Sequence, residues 1–325
     1  MIKIKAFWFG CQSNTAVGLG HVSRCIALAE EFGSRGYISC FAHLSEIDSR
    51  GVELMSLSGL TINCTCSAQP IAVLYDSYDL NFIRKFAWPR DVRFILLVDE
   101  LSPTLDADGY IQASPIESWS PSNKSSKVLN FDSNPILRKA YDTPVTGFRS
   151  KPPFDVLISL GAAKDFVGIL SHLIPEIQSR KRIFRSTTVL LGGNSISAIM
   201  PRDILREVNS ITGTLNFRSI LTADSFIISA AGVTAWELIS LKVPGFLIGA
   251  ADNQMEQLAF FNENGLRRGI PFQGNQDFSS ELRNLIDSTQ VFESTRSKPN
   301  LLRNGRVEAV DWILREILSQ PDRPG

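Results

Sequence analysis

The chain has 325 residues, with 33 basic and 33 acidic side chains, so its formal net charge at neutral pH is zero. A balanced charge provides no long-range field for nucleic acid or an anionic membrane, and neither is expected as a partner. No apolar run reaches the length of a membrane span and the first residues do not resemble a signal peptide, so we predict a cytoplasmic protein without a membrane span.

Apolar runs alternate with helical patterns through the first half of the chain. The runs at 2–9, 38–43, 71–75 and 93–98 are nearly continuous, whereas 22–32 has apolar residues at helical spacing. Continuous apolar runs separated by helices are typical of parallel strands that are covered on both faces.

The alternation restarts after a segment rich in proline and glycine at 143–153, which is the predicted linker. Four further apolar runs follow, and each ends in small or polar residues; they lie at 154–160, 187–191, 225–229 and 245–248. This pattern predicts a second sheet of parallel strands.

The two series of strands predict an α/β protein with two doubly wound, Rossmann-like domains, the first over 1–146 and the second over 147–325. An amphipathic helical pattern at 307–318 is assigned to the end of the second domain. Ligands of such sheets bind outside the carboxyl ends of the strands, so we expect the site in the cleft between the domains.

The sequence Gly18-Leu19-Gly20-His21 lies between the first predicted strand and the first predicted helix. Glycines allow a tight turn, and the amides at a helix N-terminus favour an anion. His21 is therefore a candidate acid or base beside a bound phosphate, although a packed structural histidine fits the same pattern. Ser23 stands where a dinucleotide fingerprint has its third glycine, which argues against such a site.

Acidic residues follow two of the predicted strands. Asp76 ends one strand and is followed by Tyr78, and Asp99-Glu100 follows the next. At these positions the acids would face the cleft, or would serve as turn or N-cap residues. Because no histidine or cysteine stands at ligand spacing beside them, we predict neither a metal nor a cofactor.

The five cysteines are Cys11, Cys25, Cys40, Cys64 and Cys66. Their number is odd, and no pair has the C-x-x-C spacing of a zinc site. We therefore predict buried free thiols in a reducing compartment.

A strand-to-helix turn in the second domain contains Ala231, Gly232 and Thr234. Such small residues let a phosphate approach the helix amides, and Glu237 is then a candidate acceptor for ribose hydroxyls. Thr234-x-x-Glu237 also matches a capping box, which the sequence alone favours.

The next strand end carries Asn253 and Gln254, whose amides are candidate contacts to a sugar or a pyrophosphate. Capping of the following helix is the alternative role for these residues.

In their order along the chain, these segments resemble the UDP-sugar hydrolase of pseudaminic acid biosynthesis, a family with the two-domain GT-B glycosyltransferase fold. The resemblance extends over about residues 1–270. It rests on residues 18–29, 76–78, 99–100, 159–161, 230–237 and 251–254.

The resemblance implies a nucleotide sugar as substrate, a UDP-linked amino sugar, whose nucleotide is held mainly by the C-terminal domain. It implies metal-independent cleavage between the anomeric carbon and the diphosphate oxygen. Matched by motif, His21 and Tyr78 would be catalytic, Asn253 would bind substrate and Glu237 would bind ribose. The other substrate-binding candidates are Gly18, Gly20, Arg24, Asp76, Gly161, Ala231, Gly232, Thr234 and Gln254.

Several positions depart from the family pattern, among them the segment 130–138, which keeps only its final Leu137-Arg138. Ala162 follows Gly161 where a second glycine is usual, Ser77 stands where histidine is common, and Asp79 replaces a small residue. A glycosyltransferase with an organic acceptor is therefore the alternative function. A non-catalytic nucleotide-sugar binding module and a sugar-nucleotide 2-epimerase are further alternatives, but the acid cluster of an epimerase is not found in the sequence.

Overall fold

The computed structural model divides the chain into two units, each built around its own sheet. The first unit comprises residues 1–139 and 301–325, and the second comprises residues 140–300. The structure describes residues 5–13, 18–42, 44–60, 70–77, 92–99, 105–115, 121, 125–131, 134–161, 163, 165–191, 208–212, 217–272, 274, 277–288 and 304–319.

The first unit has a sheet of six parallel strands in the order β2-β1-β3-β4-β5-β6. The strands are β1 Ala6–Cys11, β2 Ile38–Ala42, β3 Pro70–Asp76, β4 Arg93–Val98, β5 Gly109–Gln112 and β6 Lys127–Leu129. Helix α1 spans Gly20–Ser34 and helix α2 spans Ser49–Leu57.

Aromatic packing fixes α1 against this sheet. The ring of Phe32 in α1 stacks on Phe7 of β1 with 3.6 Å between the ring centroids, and both side chains are fully buried. Between β1 and β3, Gly10 lies opposite Tyr75. A Cβ on Gly10 would lie 2.3 Å from the ring of Tyr75, so only glycine lets that ring lie against β1. The Phe7–Phe32 stack therefore holds α1 on β1, and Gly10 lets Tyr75 of β3 pack against β1.

The order of the strands places a topological switch point between β1 and β3. The chain passes from β1 to β2 on one side and then to β3 on the other. At the carboxyl end of this pair, Cys11 is the register partner of Asp76. Ligands of doubly wound sheets bind at such points.

The second unit has another sheet of six parallel strands, in the order β12-β11-β10-β7-β8-β9. Its strands are β7 Phe154–Ser159, β8 Phe184–Leu191, β9 Asn209–Thr212, β10 Ser225–Ala230, β11 Gly245–Gly249 and β12 Gly269–Pro271. Its helices are α3 Phe166–Gln178, α4 Val233–Ser240, α5 Met255–Glu263 and α6 Asp277–Asp287.

This order is the Rossmann order, with the switch point between β7 and β10. A cluster of buried aliphatic and aromatic side chains from the strands packs against α3 and α6. The loops that follow β7 and β10 at the switch point contain Gly161 and Gly232.

The C-terminal segment packs on the first unit. Helix α7, Gly305–Trp312, continues into a π-helical turn at Ile313–Ile317. The side chain of Asn304 donates to the carbonyl of Leu137 over 3.0 Å. The predicted division assigned residues up to 325 to the second domain, whereas the structure groups 301–325 with the first. The periodicity indicated an apolar helix face but not the surface that covers it.

The cysteine prediction needs one correction. Cys11 and Cys25 are free and buried, as predicted, but Cys40 is disulfide-bonded. Whether two cysteines pair depends on the distance between their Cβ atoms, which the spacing along the chain does not determine. Cys64 and Cys66 lie outside the described residues. No helix in the described part of the chain is long and apolar enough to cross a membrane.

The packing of α7 is tested by Gly305→Ala. An added Cβ would lie 2.0 Å from the backbone oxygen of Asn134, which cannot rotate away. We expect a loss of about 2 kcal/mol and a Tm lower by roughly 4–8 °C in thermal unfolding. In the control Gly33→Ala, no described atom lies within 4 Å of the new Cβ, so the Tm should hold or rise. Equal Tm values for the two variants would contradict the described packing.

Candidate active site

The N-terminus of α1 has the features of an anion site. Gly18 has a φ of +76°, in the left-handed region that favours glycine, and the helix begins at Gly20. The preceding residue, Leu19, provides no side-chain cap, and the first turn has no acidic residue. Since Leu19 provides no cap and no carboxylate lies in the first turn, the partial positive charge of the helix end can attract an anion.

His21 is the second residue of α1, and its ring is held by a buried carboxylate. Nδ1 of His21 is hydrogen-bonded to Oδ1 of Asp76, the last residue of β3. His21 is 2% exposed and Asp76 is fully buried. The pair therefore forms at the switch point of the first sheet, where α1 follows β1 and where β3 ends.

Arg24, one turn further along α1, joins the same carboxylate. Its Nε and Nη2 each donate to Asp76 over 2.7 Å. From the other side, its Nη1 lies 2.8 Å from Oδ2 of Asp99 and its Nη2 donates to Oδ1 of Asp99 over 3.2 Å. We call these four residues, His21, Arg24, Asp76 and Asp99, the His21 cluster.

The charges of the cluster keep Asp76 ionised. Burial by itself would raise the pKa of the Asp76 carboxyl, but the charges of Arg24 and His21 and their hydrogen bonds lower that pKa to about 2. A carboxylate with both oxygens engaged has a fixed orientation. Asp76 is therefore a permanent, oriented acceptor for the imidazole.

The contacts of Nδ1 indicate which nitrogen of His21 carries the proton. Nη2 of Arg24 lies 3.0 Å from Nδ1, but the contact of Nδ1 with Oδ1 of Asp76 is shorter. A lone pair on Nδ1 would face the carboxylate oxygen repulsively, so we assign Nδ1–H as a donor to Asp76. The lone pair of the neutral ring is then on Nε2, as a general base requires.

The structure brings together three of the predicted residues of the first domain, His21, Arg24 and Asp76, beside Gly18 and Gly20. Arg24 was predicted to bind substrate, but its guanidinium is engaged by two carboxylates. Tyr78 and Glu100 lie outside the described residues.

Asp99 was noted in the sequence but was not included in the predicted site. The signal that could have found it is its place directly after β4, the neighbour of β3. Among the described residues, no group of three or more His, Cys, Asp or Glu is arranged to hold a metal ion.

The second unit presents a different kind of surface at its switch point. Gly232 is the N-cap of α4, which begins at Val233 and has no side-chain cap. Thr234 therefore lies inside the helix, and the capping-box interpretation of Thr234 and Glu237 is wrong. Glu237 is 4% exposed in the same helix. The capping box is not formed because the helix already begins at Val233, so Thr234 cannot be its N-cap.

Among the described residues, no atom crowds the Cβ positions of the glycines of this surface. Beside a Cβ built on Gly232, the nearest described atom is Nε2 of Gln254, at 3.8 Å. Oε1 of Gln254 accepts from the amide of Ala250 over 3.0 Å, which orients its NH₂ group. Gly161 has a φ of +59° and no described atom within 4 Å of its Cβ position. Ala231 is fully buried beneath the turn, whereas Asn253 is exposed.

No protein-family model matches the chain, and neither does any curated protein sequence. Solved structures do match. S. aureus MnaA, determined with UDP, has a TM-score of 0.63 and 11% identity, covering 99% of this chain and 100% of that one. The glycotransferase of kitacinnamycin has a TM-score of 0.60 and 14% identity, covering 96% and 98%.

The spinosyn rhamnosyltransferase SpnG, complexed with thymidine diphosphate, has a TM-score of 0.57 and 10% identity, covering 95% of this chain and 98% of that one. At these identities the likeness shows the fold. The chain has two parallel-sheet α/β units of the GT-B type, and the predicted fold class is confirmed.

The charge of Asp76 predicts a pH-dependent stability difference. Its pKa is 3.8 in the unfolded chain and about 2 in the folded chain, so its stabilising contribution is present above about pH 4 and is lost as the pH falls through about 2. In urea unfolding, wild type should have a higher free energy of unfolding than Asp76→Asn. About 2 kcal/mol of that difference should come from the charge of Asp76, and this part should shrink by roughly half near pH 3. A gap of the same size at pH values near 3 and 7 would contradict this assignment.

Proposed function

We propose that this protein hydrolyses a nucleotide sugar at the anomeric carbon–oxygen bond, with His21 as the general base. The observation that carries the proposal is the buried pair of His21 and Asp76 at an uncapped helix N-terminus. The resemblance of the sequence motifs favours a UDP-linked amino sugar as the substrate. We place this reaction in a cytoplasmic pathway that makes a modified sugar.

The chemistry follows from the tautomer of the ring. Nε2 of His21 accepts a proton from water while the water oxygen bonds to the anomeric carbon. The bond from that carbon to the diphosphate oxygen breaks, and UDP leaves with the electron pair. Asp76 stabilises the imidazolium that results. The amides at the N-terminus of α4 stabilise the charge that develops on the diphosphate.

We assign the nucleotide to the second unit. The uncapped N-terminus of α4 supports a diphosphate contact, since Gly232 leaves room for close approach to the amides. The oriented NH₂ group of Gln254 adds a donor beside that position. In this proposal Gly161, Ala231 and Thr234 border the phosphates, Glu237 accepts from ribose, and Asn253 binds the sugar. Proteins of the same fold were determined with UDP and with thymidine diphosphate, which supports a nucleoside diphosphate as the ligand.

Transfer to an organic acceptor is the second candidate function. It is favoured by the fold likeness to the kitacinnamycin glycotransferase and to SpnG. The same base would then deprotonate an acceptor hydroxyl instead of water. The two functions differ in whether UDP is released when no acceptor is present.

The His21 assignment predicts the result of a turnover assay. Purified protein incubated with UDP-amino sugars and no acceptor should release UDP steadily, whereas release only after addition of an acceptor alcohol would indicate a transferase. His21→Ala should lower kcat roughly 10²- to 10⁴-fold. The control is His172→Asn, in helix α3 of the second unit, where the ring contacts Phe278 and hydrogen-bonds Ser279. This variant should keep wild-type turnover, and equal activity of His21→Ala would reject His21 as the base.

The nucleotide assignment predicts a separate binding result. Gly232→Ala should fold normally, because its Cβ meets no described atom closer than 3.8 Å, but that Cβ would occupy the approach to the α4 amides. Calorimetric titration should show UDP binding weakened by roughly tenfold or more, with an unchanged Tm in the absence of ligand. Gly33→Ala, in the first unit, should bind UDP like wild type. Undiminished binding by Gly232→Ala would move the nucleotide away from this turn.

A further inference from the structure

We propose that Asp99 is a positioning residue for this reaction and that it acts through Arg24 on the pair formed by Asp76 and His21. The inference rests on the proposed role of His21 as the base. In this proposal the effect of Asp99 reaches His21 through Arg24 and Asp76. Asp99 acts by fixing the guanidinium that lies between the two carboxylates.

The contacts on Arg24 are those of a clamp with two sides. One side of the guanidinium, Nε and Nη2, meets both oxygens of Asp76, and the other side, Nη1 and Nη2, meets both oxygens of Asp99. A planar guanidinium that is paired on two sides can neither rotate nor withdraw without breaking several charge-assisted hydrogen bonds. Asp99 therefore fixes the conformer of Arg24 that orients Asp76.

Asp99 also supplies the charge that proton transfer requires. Arg24 and Asp76 alone form a neutral pair, so a proton taken up by His21 would leave an unbalanced positive charge in a site that is nearly closed to water. With Asp99 included, the cluster has a net charge of −1 before the transfer and is neutral after it. The second carboxylate thus favours the step in which His21 becomes a cation.

Among the described residues, the other titratable groups packed against Asp76 are two thiols, Cys25 on α1 and Cys11 on β1. Burial raises the pKa of the Cys25 thiol, and the hydrogen bond with Cys11 raises it further, so Cys25 remains neutral near neutral pH. The compensating charge is therefore that of Asp99.

The main variant is Asp99→Asn, which keeps the shape of the side chain and removes its charge. We expect kcat to fall roughly tenfold to a hundredfold, less than in His21→Ala, while KM changes by no more than about twofold. The acid limb of the kcat–pH profile should move to lower pH by about half a unit or more, because the cation on His21 loses a stabilising charge. Asp99→Glu, which keeps the charge, should recover most of the shift in the acid limb.

A matched control is present at the opposite end of the same strands. Asp108 is a buried carboxylate that pairs with Arg93 at 3.2 Å and accepts from the amide of Phe94 over 2.7 Å. Asp108, directly before β5, contacts the first residues of β4, and Asp108→Asn removes a comparable buried charge there. It should lower the Tm but leave kcat and the pH profile unchanged. If it changes them as Asp99→Asn does, the effect is general destabilisation and the positioning role is rejected.

A second measurement separates this inference from the proposed function. The chain has three histidines, so the imidazole nitrogens can be followed by NMR, with His21 identified by its loss in His21→Gln. The titration midpoint of His21 should be lower in Asp99→Asn than in wild type, whether or not any sugar nucleotide is turned over. A shifted midpoint in a protein that releases no UDP would support the coupling and reject the hydrolase. An unchanged midpoint with unchanged kcat would overturn the role of Asp99.

Discussion

The structure of the first unit depends on one constraint, the burial of the Asp76 carboxylate at the end of β3. A fully buried charge is tolerated only when it is paired and hydrogen-bonded. Helix α1 meets this requirement twice, with His21 in its first turn and Arg24 three residues later on the same face. The start of the helix, its packing on β1 and the place of β3 beside β1 are all needed for this pairing. The arrangement that makes Asp76 stable also orients the imidazole.

Both units are doubly wound parallel sheets, but they differ in strand order and in the residues at their switch points. Both sheets have their switch point at the carboxyl ends of central strands, and in both a helix without a side-chain cap begins there. The first unit adds a buried cluster of charges, whereas the second adds an oriented amide and glycines whose Cβ positions no described atom crowds. In the proposed function the first set of residues would serve proton transfer, which needs fixed partners, and the second would serve phosphate binding, which needs room. The fold alone does not specify either activity, so the functional argument rests on the residues at these ends.

Sequence reasoning succeeded where a local pattern determines the outcome. His21 and Asp76 were placed at the carboxyl ends of predicted strands because apolar runs mark buried parallel strands. The structure adds that β1 and β3 are neighbours. It failed where two local patterns compete or where a distant partner decides. The capping box at Thr234 competed with an N-cap at Gly232, and backbone geometry decided for Gly232. The pairing of Cys40 and the surface that covers α7 both depend on partners far along the chain.

The amino-acid sequence by itself determined the fold class, because the alternation of apolar runs and helical patterns is a local consequence of burial on both faces of a sheet. It also determined which turns have glycines and polar side chains at strand ends. Only the tertiary structure decided how the charges are paired. Arg24 could have faced a ligand, and Asp99 could have capped a turn. Their partners were settled when β1, β3 and β4 came side by side, because the energy of a buried charge depends on neighbours that the linear sequence does not specify.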